Sequence, residues 1–443
     1  MLSRVKKLFE IAYTHAGFKL YLKNTSWLFG GQIFNLLIGL SVSVAVARHL
    51  GPEDFGLFHF VLSVVGLLGV TSQLGLTQLT RREMVELPEQ RNEIIGTCFV
   101  LSSIMGISIY CLMLLAIFTQ ADRNLVKCLF ALLGCQMLLS SFDYIDIWFQ
   151  SQIRSSLSVI ASSASAAIFA ILKIVAIVQG ADLLVFGYLF VFELITGCLF
   201  KNYLYGRHFG SILRWAPSWY SVRNLLGQSW PLAFAGLAAM LFMKIDQVML
   251  GAIIGDKAVG HYAVAVKISS FSYFIPSVLA ISLFPAILKT RRESKALYEK
   301  RLQSYFDLNA GLAYLIVIPL SIAGPQVIRI LFGEAYRPAG AILSIHVWSC
   351  LFIFLGIARS QYLTAERMFK FSMGSTIAGA LLNVLLNFLL IPAYLGYGAA
   401  IATLISYAVS TFFSSFFNAN LANIGKQQTR AMFIPIRFLN ILS

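Results

Sequence analysis

The sequence predicts an all-α membrane protein of about 12 transmembrane helices in two six-helix lobes. Three observations lead there: too little charge for a water-facing surface, twelve apolar runs of spanning length, and a loop motif repeated half a chain apart. Of 443 residues, 58% are hydrophobic and only 12% charged, whereas a soluble domain carries about 25% charge. The mean hydropathy is +0.78. Such a surface must face lipid. The net charge of +15 would suit nucleic acid in a soluble protein. Here it reads as loop charge obeying the positive-inside rule, and no nucleic-acid partner is expected.

Spanning helices need about 20 apolar residues. Candidate segments run over 26–47, 57–80, 95–118, 126–149, 157–180, 183–203, 229–253, 261–287, 308–331, 340–362, 371–392 and 398–418. The strict alternation of barrel strands is absent, so these are helices. The connections alternate sharply in charge. One side holds 24 Lys and Arg, the other five. The basic side includes both ends of the chain, so both termini are expected in the cytoplasm. The six cysteines form no C-x-x-C pair and lie in apolar stretches, so small buried residues are expected rather than disulfides.

Residues 1–25 form an amphipathic cytoplasmic segment, with Leu2, Val5, Leu8, Phe9, Ala12 and Tyr13 at helical spacing between basic residues. The first lobe covers 26–203. Residues 204–228, with Trp215, Pro217 and Trp219, read as an interfacial linker whose aromatics sit at headgroup depth. The second lobe covers 229–418, and 419–443 is a cytoplasmic tail. The lobes repeat: Ser26-Trp27 opens the first span and Ser229-Trp230 the seventh. Gly51 to Gly56, followed by Phe58, matches Gly255 to Gly260, followed by Tyr262. Six helices per lobe is an even number, so the two copies keep one orientation. They are expected to relate by an axis along the membrane normal, with a site at their interface.

Chemistry is excluded by what is missing. There is no G-x4-G-K-[S/T] phosphate loop, no G-x-G-x-x-G and no H-E-x-x-H. The six histidines lack metal spacing. No cofactor, metal or catalytic residue is expected, and the outer loops are too short to carry a polymerase. Transport by alternating access is what remains.

Ionisable groups inside a membrane are costly and are functional hypotheses by default. Lys173, Lys244 and Lys267 fall at similar depths on three helices, and Arg359 lies toward the inside of span 10. They suggest a wet cavity with a cationic floor, suited to an anionic headgroup. Lys173 and Lys244 have no obvious acid at their depth. Asp246 and Lys267 lie on adjacent helices, where a structural pair is an equal alternative. Glu193 is an acid near a span centre without a basic neighbour in sequence, so it is a coupling candidate that could take up a proton. Gln32, Asn35, Asp246 and Gln247 add polar cavity or coupling candidates. Asn383 and Asn387 share a face, with interhelical hydrogen bonding as the simpler account. Asp143 and Asp146 are expected to meet loop arginines. No span of the first lobe holds a proline, yet the second lobe has Pro231, Pro276, Pro285, Pro319, Pro325 and Pro392, so it should be more bent.

Ala47-Arg48-His49-Leu50-Gly51-Pro52-Glu53-Asp54-Phe55-Gly56 resembles the first-loop signature of the polysaccharide transporter family, the O-antigen flippases of the multidrug/oligosaccharidyl-lipid/polysaccharide superfamily. Met243-Lys244-Ile245-Asp246-Gln247 and Val264-Ala265-Val266-Lys267 are similar to its second-half signature. Gly379-Ala380, Asn383 to Asn387, Pro392 and Gly398 to Thr403 match its last two spans. The resemblance implies a MATE-like, V-shaped pair of lobes in a bacterial or archaeal plasma membrane. It implies a cargo of oligosaccharide on an undecaprenyl-pyrophosphate-type lipid, moved from the inner to the outer leaflet for surface polysaccharide synthesis. Membrane lipid, H+ or Na+ as coupling ion, and polysaccharide polymerase or chain-length proteins are the implied partners. Two alternatives stay open: a MATE-type cation-coupled small-molecule exporter, and a non-transporting scaffold for a glycan polymerase. The first span holds no acid, unlike many drug exporters.

Overall fold

A computed structural model describes residues 16–120, 123–291 and 293–437. Most of the amphipathic segment expected over 1–25 lies outside the described residues. Among the described residues the secondary structure is helical, with no strand. Among the described residues nine helices are long and apolar enough to cross a membrane, or ten if a pair bent by 44° counts as one span. In these stretches only 17–39% of residues are buried within the protein. The rest of the apolar surface requires lipid as its cover.

The main helices are α1 (Ala16–Ser72), α2 (Leu76–Glu86), α3 (Arg91–Gln120), α4 (Asn124–Leu139), α5 (Asp143–Ser151), α6 (Ser155–Val178) and α7 (Leu183–Phe209). They continue with α8 (Trp219–Ile253), α9 (Asp256–Ser270), α10 (Phe274–Thr290), α11 (Lys295–Phe332), α12 (Arg337–His346), α13 (Ser349–Ala365), α14 (Phe369–Thr411) and α15 (Ala422–Met432). Two of them contain breaks. In α1, Gly51 has φ 75°, a left-handed value that glycine tolerates and that the following Pro52 does not oppose. In α14, Leu395 has φ 53° and ψ −135°. The segment 57–80 is also interrupted: Leu74 and Gly75 both take positive φ between α1 and α2.

The chain forms two compact units. The first holds residues up to His49 and Val65–Gly236; the second holds Leu50–Val64 and everything from Leu237. Within the first, α6 packs on α7, α3 on α4 and α4 on α7. Its densest core is aromatic. Trp215 donates from Nε1 to the Tyr205 hydroxyl at 2.8 Å and stacks edge-on against Phe99 and Tyr205. The 204–228 stretch is therefore not a free interfacial linker. Residues 204–209 complete α7, and Trp215 is buried. The Ala216 amide donates to the Asn92 carbonyl, the Ser218 amide to Thr97 Oγ1, and Ser221 Oγ to Glu93 Oε1. Only Trp219 and Tyr220, at 83% and 80% exposure, keep the outward placement expected of these aromatics.

In the second unit, α11 packs on α12, α13 on α14, and α15 on α11. Residues 50–64 pack here by close backbone approach. A Cβ on Gly56 would lie 1.8 Å from the Asp256 carbonyl oxygen, and one on Gly260 would lie 2.0 Å from that of Pro52. The second glycine of each repeated loop is thus the contact point of one copy with the other. All six thiols are free, as expected, but Cys111 and Cys128 are exposed because their helix faces point outward.

Candidate functional site

The second unit gathers its buried polar groups around Asp246, which is 4% exposed on α8. Oδ1 accepts from Asn387 Nδ2 at 2.5 Å. Oδ2 accepts from the Tyr262 hydroxyl at 2.6 Å and Thr403 Oγ1 at 2.5 Å. Asn387 and Thr403 lie on either side of the α14 break at Leu395, so both arms of that helix reach one carboxylate. Asn387 also donates to Asn383 Oδ1 at 3.1 Å, as their four-residue spacing on one face predicts. One residue on from Asp246, Gln247 Oε1 accepts from Ser63 Oγ at 2.6 Å. These three donors to Asp246 are neutral. They stabilise the carboxylate by hydrogen bonding without cancelling its charge.

Among the described residues, Asn383 Nδ2, Asn387 Oδ1 and, one turn along from Thr403, Ser406 Oγ are buried with no hydrogen-bond partner. Uncompensated burial costs about 1–3 kcal/mol per group. The set is rich in hard oxygen donors, which suit a proton or a small hard cation rather than a transition metal. Among the described residues no group of three His, Cys, Asp or Glu could hold a metal ion.

Lys244 and Lys267 are both half-buried in this unit. Both lie within electrostatic reach of His59, on the 50–64 segment. The structure thus brings together two of the three expected lysines and adds a histidine that the sequence reading passed over.

The other candidates are placed differently. Lys173 Nζ lies 2.5 Å from Glu193 Oε2, with side chains 18% and 27% exposed. Lys173 is not without an acid, and Glu193 is not without a base. The flexible lysine stem spans the depth difference that the sequence suggests between them. Arg359 is 3% exposed and is no part of a cationic floor. Its guanidinium donates to the carbonyls of Ser410 and Thr411, to Ser414 Oγ and to Ser375 Oγ. The carbonyls at a helix end lack intrahelical partners and carry negative partial charge, which explains a cation there. Gln32 is exposed. Asn35 Nδ2 donates to Ser162 Oγ at 3.3 Å, joining α1 to α6. Asp143 and Asp146 meet Lys201, at 3.0 and 2.6 Å, rather than a loop arginine.

A cavity of about 440 Å3 lies between α1 and α6, lined by Trp27, Gly30, Gly31, Phe34, Val159 and Ile160 among others. Among the described residues its lining includes no charged side chain.

Known proteins share this architecture. An inward-facing multidrug-resistance MATE-family transporter superposes with a TM-score of 0.72 at 14% identity, covering 90% of this chain and 95% of that one. The lipid II flippase MurJ, in an inward closed conformation, gives 0.70 at 12% identity, covering 95% and 93%. The fold is thus one shared with a MATE-family transporter of the MOP superfamily and with MurJ, a class of multi-span membrane proteins. Residues 21–291 match the polysaccharide biosynthesis protein family, and the chain belongs to that family. A probable low-salt glycan biosynthesis flippase of Haloferax volcanii is 21% identical over 412 residues, covering 91% of this chain and 84% of its own length.

Proposed function

We propose that the chain is a flippase that moves a lipid-linked oligosaccharide of the undecaprenyl-pyrophosphate type from the inner to the outer leaflet by alternating access. The family match over residues 21–291 carries this reading, and the near full-length similarity to a probable glycan biosynthesis flippase supports it. A helix of 47 residues is about 70 Å long if straight, twice what the hydrocarbon core requires. We therefore read Ser26–Ser72 and Phe369–Phe417 as two passes each, broken at Gly51 and Leu395. With the bent pair as one span, this gives twelve passes and, with the charge asymmetry, cytoplasmic termini.

Lys244 and Lys267 attract the pyrophosphate; Lys173, paired with Glu193, contributes structure instead. The flexible ammonium of lysine suits a ligand that must be released, because it does not grip phosphate as a bidentate fork. Asp246 is the coupling site for H+ or Na+, replacing Glu193 in that role. A proton or sodium ion there would draw on the partnerless Asn387 oxygen and the Asp246 carboxylate.

The test is purified chain in proteoliposomes loaded with a lipid-linked oligosaccharide. Its headgroup exposure is followed by a lectin added outside. Transbilayer movement should require the chain and fall on Lys244→Gln and Lys267→Gln. Movement of the oligosaccharide no faster than in empty liposomes would refute the assignment.

A further inference from the structure

Residues 419–443 read as a plain tail in sequence, yet the structure folds part of them against the second unit. Helix α15 starts at Ala422, five residues after the last spanning helix ends at Phe417. At about 3.3 Å per residue, so short a connection holds α15 at the membrane surface. It is fastened there. Gln303 Nε2 donates to the Gln427 carbonyl, Gln427 Nε2 to that of Glu299, and the Tyr314 hydroxyl to that of Met432. Arg437 reaches both oxygens of Asp307. Ile424, Gln427, Gln428 and Ala431 are buried on the docked face.

The opposite face carries Asn423, Lys426 and Arg430, all exposed and spaced three and four residues apart. Exposed apolar groups bracket this stripe at both ends: Phe416 and Phe417 before it, Phe433 and Ile436 after it, at 46%, 83%, 54% and 56% exposure. A rigidly held helix with a cationic outer face between apolar ends suits a lipid–water interface. The cations meet headgroup phosphates while the aromatics enter the acyl boundary.

We propose that the outer face of α15 is a docking surface for anionic phospholipid headgroups of the leaflet on the side of the C-terminus. Charge complementarity selects the lipid class, and the tether to the last span fixes the depth. Nearby acids do not cancel the stripe. Asp307 is taken by Arg437, and the stretch that holds Glu293 and Glu299 also carries the exposed Lys295, Lys300 and Arg301.

The experiment places a reporter in the surface. Full-length Phe433→Trp chain is reconstituted in nanodiscs containing brominated phosphatidylglycerol or brominated phosphatidylcholine at one mole fraction. The six native tryptophans, measured in the unsubstituted chain, give the background. The added tryptophan should be quenched about twofold more by the anionic lipid. Lys426→Gln with Arg430→Gln should abolish that preference. Lys426→Arg with Arg430→Lys should keep it, which separates charge from loss of fold. Equal quenching by both lipids, or a preference that survives charge removal, overturns the proposal. An added tryptophan that neither lipid quenches also overturns it, and points to a protein partner for this face.

Discussion

The two units hold their membrane-depth charges by different means. In the first, charge meets charge: Lys173 with Glu193, and Lys201 with Asp143 and Asp146. In the second, Asp246 is held by a tyrosine, a threonine and an asparagine, and Arg359 by backbone carbonyls and serines. Helix breaks do not share this contrast, since both units join them through hydroxyl contacts. Ser72 Oγ lies 3.3 Å from Ser140 Oγ beside two breaks of the first unit. In the second, Ser269 Oγ meets His346 Nδ1 at 2.8 Å where α12 bends into α13. A matched ion pair is electrically closed and serves as scaffold. A carboxylate held by neutral donors gains hydrogen bonds from them but no matching countercharge. On this difference rests the proposal that coupling belongs to the second unit.

The strongest way to break this comparison is at Asp246. Asp246→Ala leaves the Tyr262, Thr403 and Asn387 donors without their acceptor, at about 1–3 kcal/mol each. Thermal unfolding in detergent should show a large loss of stability. Asp246→Asn keeps the shape and should fold, yet transport should fall at least about tenfold. Wild-type transport by Asp246→Asn would remove the coupling role.

Arg359→Met is expected to cost on the order of 3 kcal/mol, because the end carbonyls of α14 lose their charged donor and keep only Ser414 Oγ and Gln428 Nε2. Flux per folded molecule should stay near wild type. A normal fold with lost transport would return Arg359 to the cargo path.

Gly260→Ala drives a methyl group against the Pro52 carbonyl, and Gly56→Ala one against that of Asp256. Overpacking of this kind costs about 1–3 kcal/mol. Ala at Gly236, where a Cβ meets nothing within 4 Å, should be tolerated and serves as the control. Equal melting temperatures for all three variants would contradict the contact between the repeated loops.

The smallest effect is expected at Lys173 and Glu193. A double-mutant cycle with Lys173→Gln and Glu193→Gln should give a coupling of about 1 kcal/mol, as for partly exposed pairs. Glu193→Gln alone should leave the pH dependence of transport unchanged. A shifted pH profile would restore Glu193 as a coupling residue.

Much of this was legible in sequence. Apolar runs and loop charge predicted a multi-span helical protein, and the Gly-x4-Gly repeat marked two segments that the structure packs together. Asn383 and Asn387 announced a shared face by spacing alone. The partners of Asp246 were harder to see. Thr403 is one hydroxyl in an apolar span, and Tyr262 is one aromatic among 18 tyrosines. Their convergence depends on the break at Leu395, a residue with no intrinsic preference for positive φ. Arg359 was misread for a general reason. Its partners include backbone carbonyls, which every residue carries and no sequence pattern displays. Lys173 and Glu193 were misread by depth counting, which ignores the reach of a lysine side chain.

The most direct test of the account is made in cells that lack this chain. Lipids are extracted, and oligosaccharide on polyprenyl pyrophosphate is quantified by mass spectrometry. The account predicts that this intermediate accumulates, that wild-type chain and Glu193→Gln clear it, and that Asp246→Asn does not. An unchanged level of the intermediate in the deleted cells, with surface polysaccharide intact, would contradict it.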